Sequence, residues 1–374
     1  MTDWTDQYHS LMQQAAVLKL CDAQTAMYEQ AINLADTHGH VSHAFDARMK
    51  LVKAGVYTGK ARKAVAAYSW CLAASDKHPD MFHDSDILWE YKWIISHAIG
   101  FPEIPLDQRM ALFDDMSQRY LRQDAGLRPV LHLKASFAIR MGRFDEARDY
   151  VREYKCLPKG RYNNCRACEQ SSEVIEAVYL YQDDHLALKK AAPLLSGELH
   201  CGNKPYTIYS SLFDGLVRLG RIDEAEQYFK TGYAALREAK HCLCDIADYF
   251  RYAMISGKLE QAVKIFEKHL PWALENHEME DQFQFYIPCI YLLAKLQANK
   301  GRYALRLPKT LKQFNHNTRQ TNIAGLYEWI LNEARNIAIQ FDRRNQNDFF
   351  STCMENLTTY DALSQRWLAL KEIK

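Results

Sequence analysis

A short phrase recurs along this chain and limits what it can fold into: a Gly, an Ala five residues later, and an aromatic four residues after that. Gly59-Ala64-Tyr68, Gly220-Ala225-Phe229 and Gly257-Ala262-Phe266 carry it in full, and Gly142-Ala147 carries it with Val151 in the aromatic place. Each copy lies between two stretches of apolar residues at helical spacing. The residue types explain the phrase. Gly allows the positive φ that ends a first helix, Ala lets the second helix approach closely, and the aromatic fills the groove against the next hairpin. Weaker copies place further turns near Asp22, Leu106, Asp183, Gly301 and Asp342, so that nine turns lie on average 40 residues apart. A hairpin with an apolar face that it cannot bury alone must stack on its neighbours. The expected fold is all-α, a right-handed superhelix (α-solenoid) of about nine helix-turn-helix repeats, forming one array over residues 1–374.

Composition agrees with this and narrows the function classes. Only 15 Gly and 10 Pro in 374 residues are too few for the tight turns of an all-β fold. Lys and Arg number 47 against 46 Asp and Glu, a formal net charge of +1. That balance gives no electrostatic reason to expect nucleic acid or an anionic membrane as the main partner. The opening residues Met1 to Asp6 hold neither a basic nor an apolar segment of a secretory signal, and no apolar run approaches a membrane span. A cytoplasmic protein is expected, whose ten cysteines are thiols or metal ligands. Cys21, Cys71, Cys289 and Cys353 lie in apolar helical stretches and read as small buried hydrophobes.

The array resembles tetratricopeptide repeats. The resemblance rests on Gly59, Gly142, Gly220 and Gly257, on Ala64, Ala147, Ala225 and Ala262, on the aromatics Tyr68, Phe229 and Phe266, and on Pro79 and Pro271 near helix ends. Val151 and a largely missing Gly/Tyr pair in the first helices depart from that pattern. The resemblance implies that the first helix of each hairpin lines a concave surface. Counting back six residues from the turns then gives Lys53, Ser136, Asp214, Arg251 and Lys295. Ten back lie Met49, His132, Ser210 and Tyr291, and two back lie Tyr57, Arg140 and Arg218. Lys53, His132, Arg140, Arg218, Arg251, Tyr291 and Lys295 are the candidate partner-binding set, whose cations would suit an acidic peptide or a C-terminal carboxylate. Residues 357–374 form an amphipathic segment with Leu363, Trp367 and Leu370 on one face, expected to cap the array.

Residues 156–201 form a Cys-rich junction between repeats. Asn164-Cys165-Arg166-Ala167-Cys168 is a C-x2-C pair, the spacing that lets two thiolates reach one tetrahedral metal. The repeat register puts Cys165 and Cys168 at the start of one first helix and Cys201 at the start of the next, with Cys156 ending the preceding second helix. One structural zinc held by Cys165, Cys168 and Cys201, with Cys156 or His200 as the fourth ligand, is therefore geometrically reasonable. The segment also resembles uncharacterised bacterial helical-repeat proteins that share the C-x2-C and Gly197-Glu198-Leu199-His200-Cys201.

No nucleotide-binding Gly-rich loop, nucleophile elbow or zinc-protease motif occurs. Acidic pairs such as Asp114-Asp115 and Glu278 with Glu280 read as solvated surface, and His9, His38, His40 and His43 read as loop and surface residues. The leading functional reading is a non-catalytic protein- or peptide-binding scaffold or adaptor. A regulator sensing a peptide or small molecule and an all-helical enzyme with carboxylates distant in sequence are the alternatives.

Overall fold

A computed structural model describes residues 3–299, 303–317, 320–355 and 358–372. The described chain is all-α apart from a small antiparallel strand pair, β1 (Asn315–Asn317) and β2 (Gln320–Thr321). Its contacts divide into two compact units, residues 1–137 with 149–163 and residues 138–148 with 164–374.

In the first unit α1 (Trp4–Val17), α2 (Asp22–Thr37), α3 (Val41–Tyr57), α4 (Ala61–Lys77), α5 (Leu88–Ala98) and α6 (Leu106–Arg122) each pack on the next helix in sequence. The boundary between the units passes through α7 (Arg128–Arg140) and α8 (Phe144–Cys156). The second unit continues with α9 (Arg166–Glu176), α10 (Asp184–Leu195), α11 (Tyr206–Arg218), α12 (Ile222–Leu236), α13 (Leu243–Ile255) and α14 (Leu259–Glu275). It ends with α15 (Met279–Ala298), α16 (Ile323–Asn345), α17 (Phe349–Glu355) and α18 (Thr358–Glu372). There the first helices α11, α13 and α15 pack side by side, with α12, α14 and α16 packed behind them as second helices.

The turns form as the repeated phrase requires. Gly59, Gly142, Gly220 and Gly257 have φ of +75°, +74°, +76° and +71°. The amide one residue later donates back across each turn, Lys60 N to Gly55 O and Arg221 N to Leu216 O at 2.8 Å, which closes the first helix with the expected C-terminal cap. Ala64, Ala147, Ala225 and Ala262 are wholly buried, and Tyr68, Val151, Phe229 and Phe266 nearly so.

Of the expected turns, one is corrected and one cannot be placed. The turn placed at Gly301 lies outside the described residues, and the connection around it is long, running from Asn299 to Asn322 with a 3-10 stretch Lys309–Phe314 and the strand pair. Asp342 is not at a turn but inside α16. Its carboxylate accepts from the backbone N–H groups of Phe350 (2.8 Å) and Ser351 (2.9 Å), so the acid starts α17 instead of ending a helix. Pro271 lies within α14, four residues before its end at Glu275. No described helix is long and apolar enough to cross a membrane.

Candidate functional site

The seven candidate binding residues divide between the units. In the first, Lys53 is exposed, and the half-buried His132 ring stands edge-on to Tyr154 at 5.2 Å. The other five belong to the second unit, and there each cation faces a carboxylate. Arg218 makes a two-pronged pair with Asp184 at 2.7 Å, and Arg140 one with Glu280 at 2.9 and 2.6 Å. Arg251 donates to Asp214 at 2.5 Å and Asp248 at 3.2 Å. Lys295 and the Tyr291 hydroxyl both donate to Asp361, at 2.7 and 2.6 Å. Cations already neutralised by the chain give no excess positive charge for an acidic peptide, which removes the electrostatic case for one. One pair was legible beforehand: Asp214 and Arg251 stand six residues before consecutive turn glycines, so stacking must juxtapose them.

Asp361 belongs to α18, and α18 packs along α11 and α13. The C-terminal helix therefore occupies the face of the first helices instead of closing the end of the stack. Tyr360, Leu363 and Trp367 are buried, at 8%, 9% and 6% exposure. These positions recur at helical spacing, so one face of α18 is pressed into the array. Tyr360 stands edge-on to Tyr291 at 5.0 Å and under the Arg251 guanidinium at 5.7 Å. Arg366 donates to the carbonyls of Val217 and Arg218 near the end of α11, where the last carbonyls lack helical partners. Leu370 packs beside Gly220. Residues 357, 373 and 374 of the expected cap lie outside the described residues.

The rest of this face is wet but crowded. Burial and the neighbouring Asp248 carboxylate raise Asp245 to about 7, against the pull of Lys204 and a hydrogen bond from Ser210. Burial and Asp214 raise Asp248 to about 6, with Arg251 opposing. The helix α9 runs on into a π-turn, Ala177–Tyr181, where Tyr179 remains 44% exposed. Its hydroxyl nevertheless titrates above the ordinary range, through desolvation and the charge of Asp248. Asp245 and Asp248 stand three apart on α13, but Asp214 reaches them from α11, too distant in sequence for the convergence to be read there.

The cysteine group is also brought together. The sulfurs of Cys165, Cys168 and Cys201 all lie within 4.8 Å of one another. Cys165 is the residue before α9, Cys168 lies in its first turn, and Cys201 lies on the α10–α11 connection, followed by Gly202 at φ +54°. Cys156, exposed at the end of α8, and His200 are not in the group among the described residues. The expected fourth ligand is thus not supplied by either. In the first unit the histidines read as surface residues gather around Trp4: His38 stacks on it at 4.8 Å, and His40 Nδ1 lies 2.6 Å from His43 Nδ1.

Compared with known proteins, residues 207–231 match the PPR repeat family model, a stretch that covers most of α11 and the first part of α12. No curated protein matches the chain. The family match fits a helical-repeat protein. It also overturns the expectation that nucleic acid is not a partner, because PPR repeats read RNA one base per repeat through two or three side chains. A near-zero net charge is a sum over the whole chain and says nothing about which side chains a single repeat presents.

Proposed function

We propose that the chain is a non-catalytic binding scaffold whose α11–α13–α15 face takes an amphipathic helix of a protein partner. The observation that carries this reading is α18 itself, an amphipathic helix seated on that face through Tyr360, Leu363 and Trp367. Each fully buried side chain of this kind contributes about 1.5–3 kcal/mol of apolar burial. The mode is helix-in-groove recognition, with aromatic and aliphatic anchors on successive turns. Around the anchors the face offers fixed donors and acceptors, Tyr291 and Lys295 to a carboxylate and the α11 carbonyls to a guanidinium. A partner helix with an aromatic or leucine stripe, an acid at the Asp361 place and a base at the Arg366 place would use all of them.

The test uses full-length chain with Leu363→Asp and Trp367→Asp, which expel α18 from its seat. A fluorescent peptide with the sequence of residues 358–372 should bind this variant saturably and the wild-type chain at least about tenfold more weakly, since the wild-type face is already filled. Equal binding to both, or to neither, would sink the proposal.

The PPR match favours a second reading, single-stranded RNA on the same first helices. Binding of an unstructured RNA that weakens steeply with salt, in the variant or the wild type, would support it. The arginines of this face are already paired with its own carboxylates, Arg251 with Asp214 and Arg140 with Glu280, which leaves little excess positive charge for a polyanion and favours the helix reading.

A further inference from the structure

We infer that Cys165, Cys168 and Cys201 bind one zinc ion through three thiolates, with the fourth coordination position left to water or an external ligand. Three thiols from two separate segments converge, and disulfide formation would use only two of them. All ten cysteines are unpaired thiols. Zinc–sulfur bonds of about 2.3 Å set tetrahedral sulfurs roughly 3.8 Å apart, so a spacing within 4.8 Å needs little adjustment to close on the ion.

The backbone is built for charge at this point. Cys165 is the N-cap residue of α9, so its sulfur lies at the positive end of that helix. A divalent ion suits three converging sulfurs, because a coordinating thiol loses its proton outright and the resulting thiolates share the ion's charge.

Position gives the ion a structural consequence. Cys165 and Cys168 begin the first helix of one hairpin, and Cys201 lies four residues before Pro205, which precedes the first helix of the next. Zinc would tie the start of α9 to the α10–α11 connection, fixing the relative position of the two hairpins next to the segment that leads into α11. The site is independent of the helix-binding reading and stands or falls separately.

The experiment is metal analysis of the reduced full-length chain, with elemental quantitation, native mass and cobalt(II) substitution. The expected result is one zinc per chain and, after cobalt loading, a thiolate-to-cobalt charge-transfer band with tetrahedral d–d absorption. Cys165→Ser, Cys168→Ser and Cys201→Ser should each weaken zinc binding by at least about tenfold. Cys156→Ser and His200→Gln should keep both the zinc and the cobalt spectrum. If the Ser variants fail to fold, the wild-type chain is stripped with chelator and titrated with cobalt under reducing conditions. No cobalt–thiolate band in that titration, with all thiols titrating as reduced, would overturn the site. Loss of zinc in Cys156→Ser or His200→Gln would overturn the three-thiolate assignment.

Discussion

Arg119 in the first unit and Arg251 in the second are both surrounded by aspartates, yet they belong to different kinds of place. Arg119, on α6, has 4% of its side chain exposed and donates to Asp76 at 2.8 Å, Asp84 at 2.9 Å and Asp115 at 2.9 Å. Tyr91 adds a hydrogen bond to Asp115 at 2.7 Å, and Arg122 a second cation to Asp84. Every member comes from α4, α5, α6 or the turn before α5, so the cluster ties neighbouring hairpins together. Arg251 has fewer bonds and more water, and beyond it lies the Tyr360 ring of α18. The same chemistry serves cohesion in one unit and forms the floor of a seat in the other.

Four measurements can break or sharpen that contrast. Arg119→Ala should have the largest effect, of order 3 kcal/mol in denaturant unfolding, because it leaves the mostly buried Asp84 and its two neighbours short of their main counter-charge. It should leave α18 amide exchange unchanged. Arg251→Ala should do the reverse, accelerating exchange across α18 by about tenfold, equivalent to about 1.4 kcal/mol, with a smaller change in global unfolding. Equal effects on α18 from both variants would erase the distinction. Gly257→Ala is a calibration at a turn that touches neither cluster: no atom lies within 4 Å of the added methyl, so the cost is conformational, about 1 kcal/mol.

The smallest effect concerns pH, because Asp245 and Asp248 are both partly exposed and solvent screens their charges. Asp245 and Asp248 have folded values of about 7 and about 6, both above the ordinary carboxylate value. The folded chain therefore holds these protons more tightly than the unfolded chain does. Their contribution is fully present below roughly pH 4 and is lost as pH rises through the folded values. The melting temperature should fall between about pH 4 and about pH 8, and Asp248→Asn should flatten part of that slope. An unchanged slope would mean that the carboxylate is well hydrated.

Local order was the legible part of this molecule. Four glycines and four alanines were placed by spacing alone, because a helical hairpin must turn and close within a dozen residues. The convergence of Cys165, Cys168 and Cys201 followed from the same register, since equivalent positions in stacked hairpins become neighbours. What failed depended on partners. Asp342 resembles a turn acid until Phe350 and Ser351 show what it caps. The cations of the second unit resemble a receptor for acids until Asp184, Glu280 and Asp361 are seen to neutralise them. Amphipathicity gives α18 a face to bury but does not say against which helices.

Only two residues separate Glu355, the end of α17, from Thr358, the start of α18. A segment held so near its seat acts as a competitor at an effective concentration on the order of millimolar, which no dilution of the protein can lower. If α18 alone held the face with a dissociation constant of about 10 μM, a rival helix would see its own constant raised about a hundredfold. Weak and casual encounters would then be filtered out, and occupancy by a partner would have a threshold set by the chain itself.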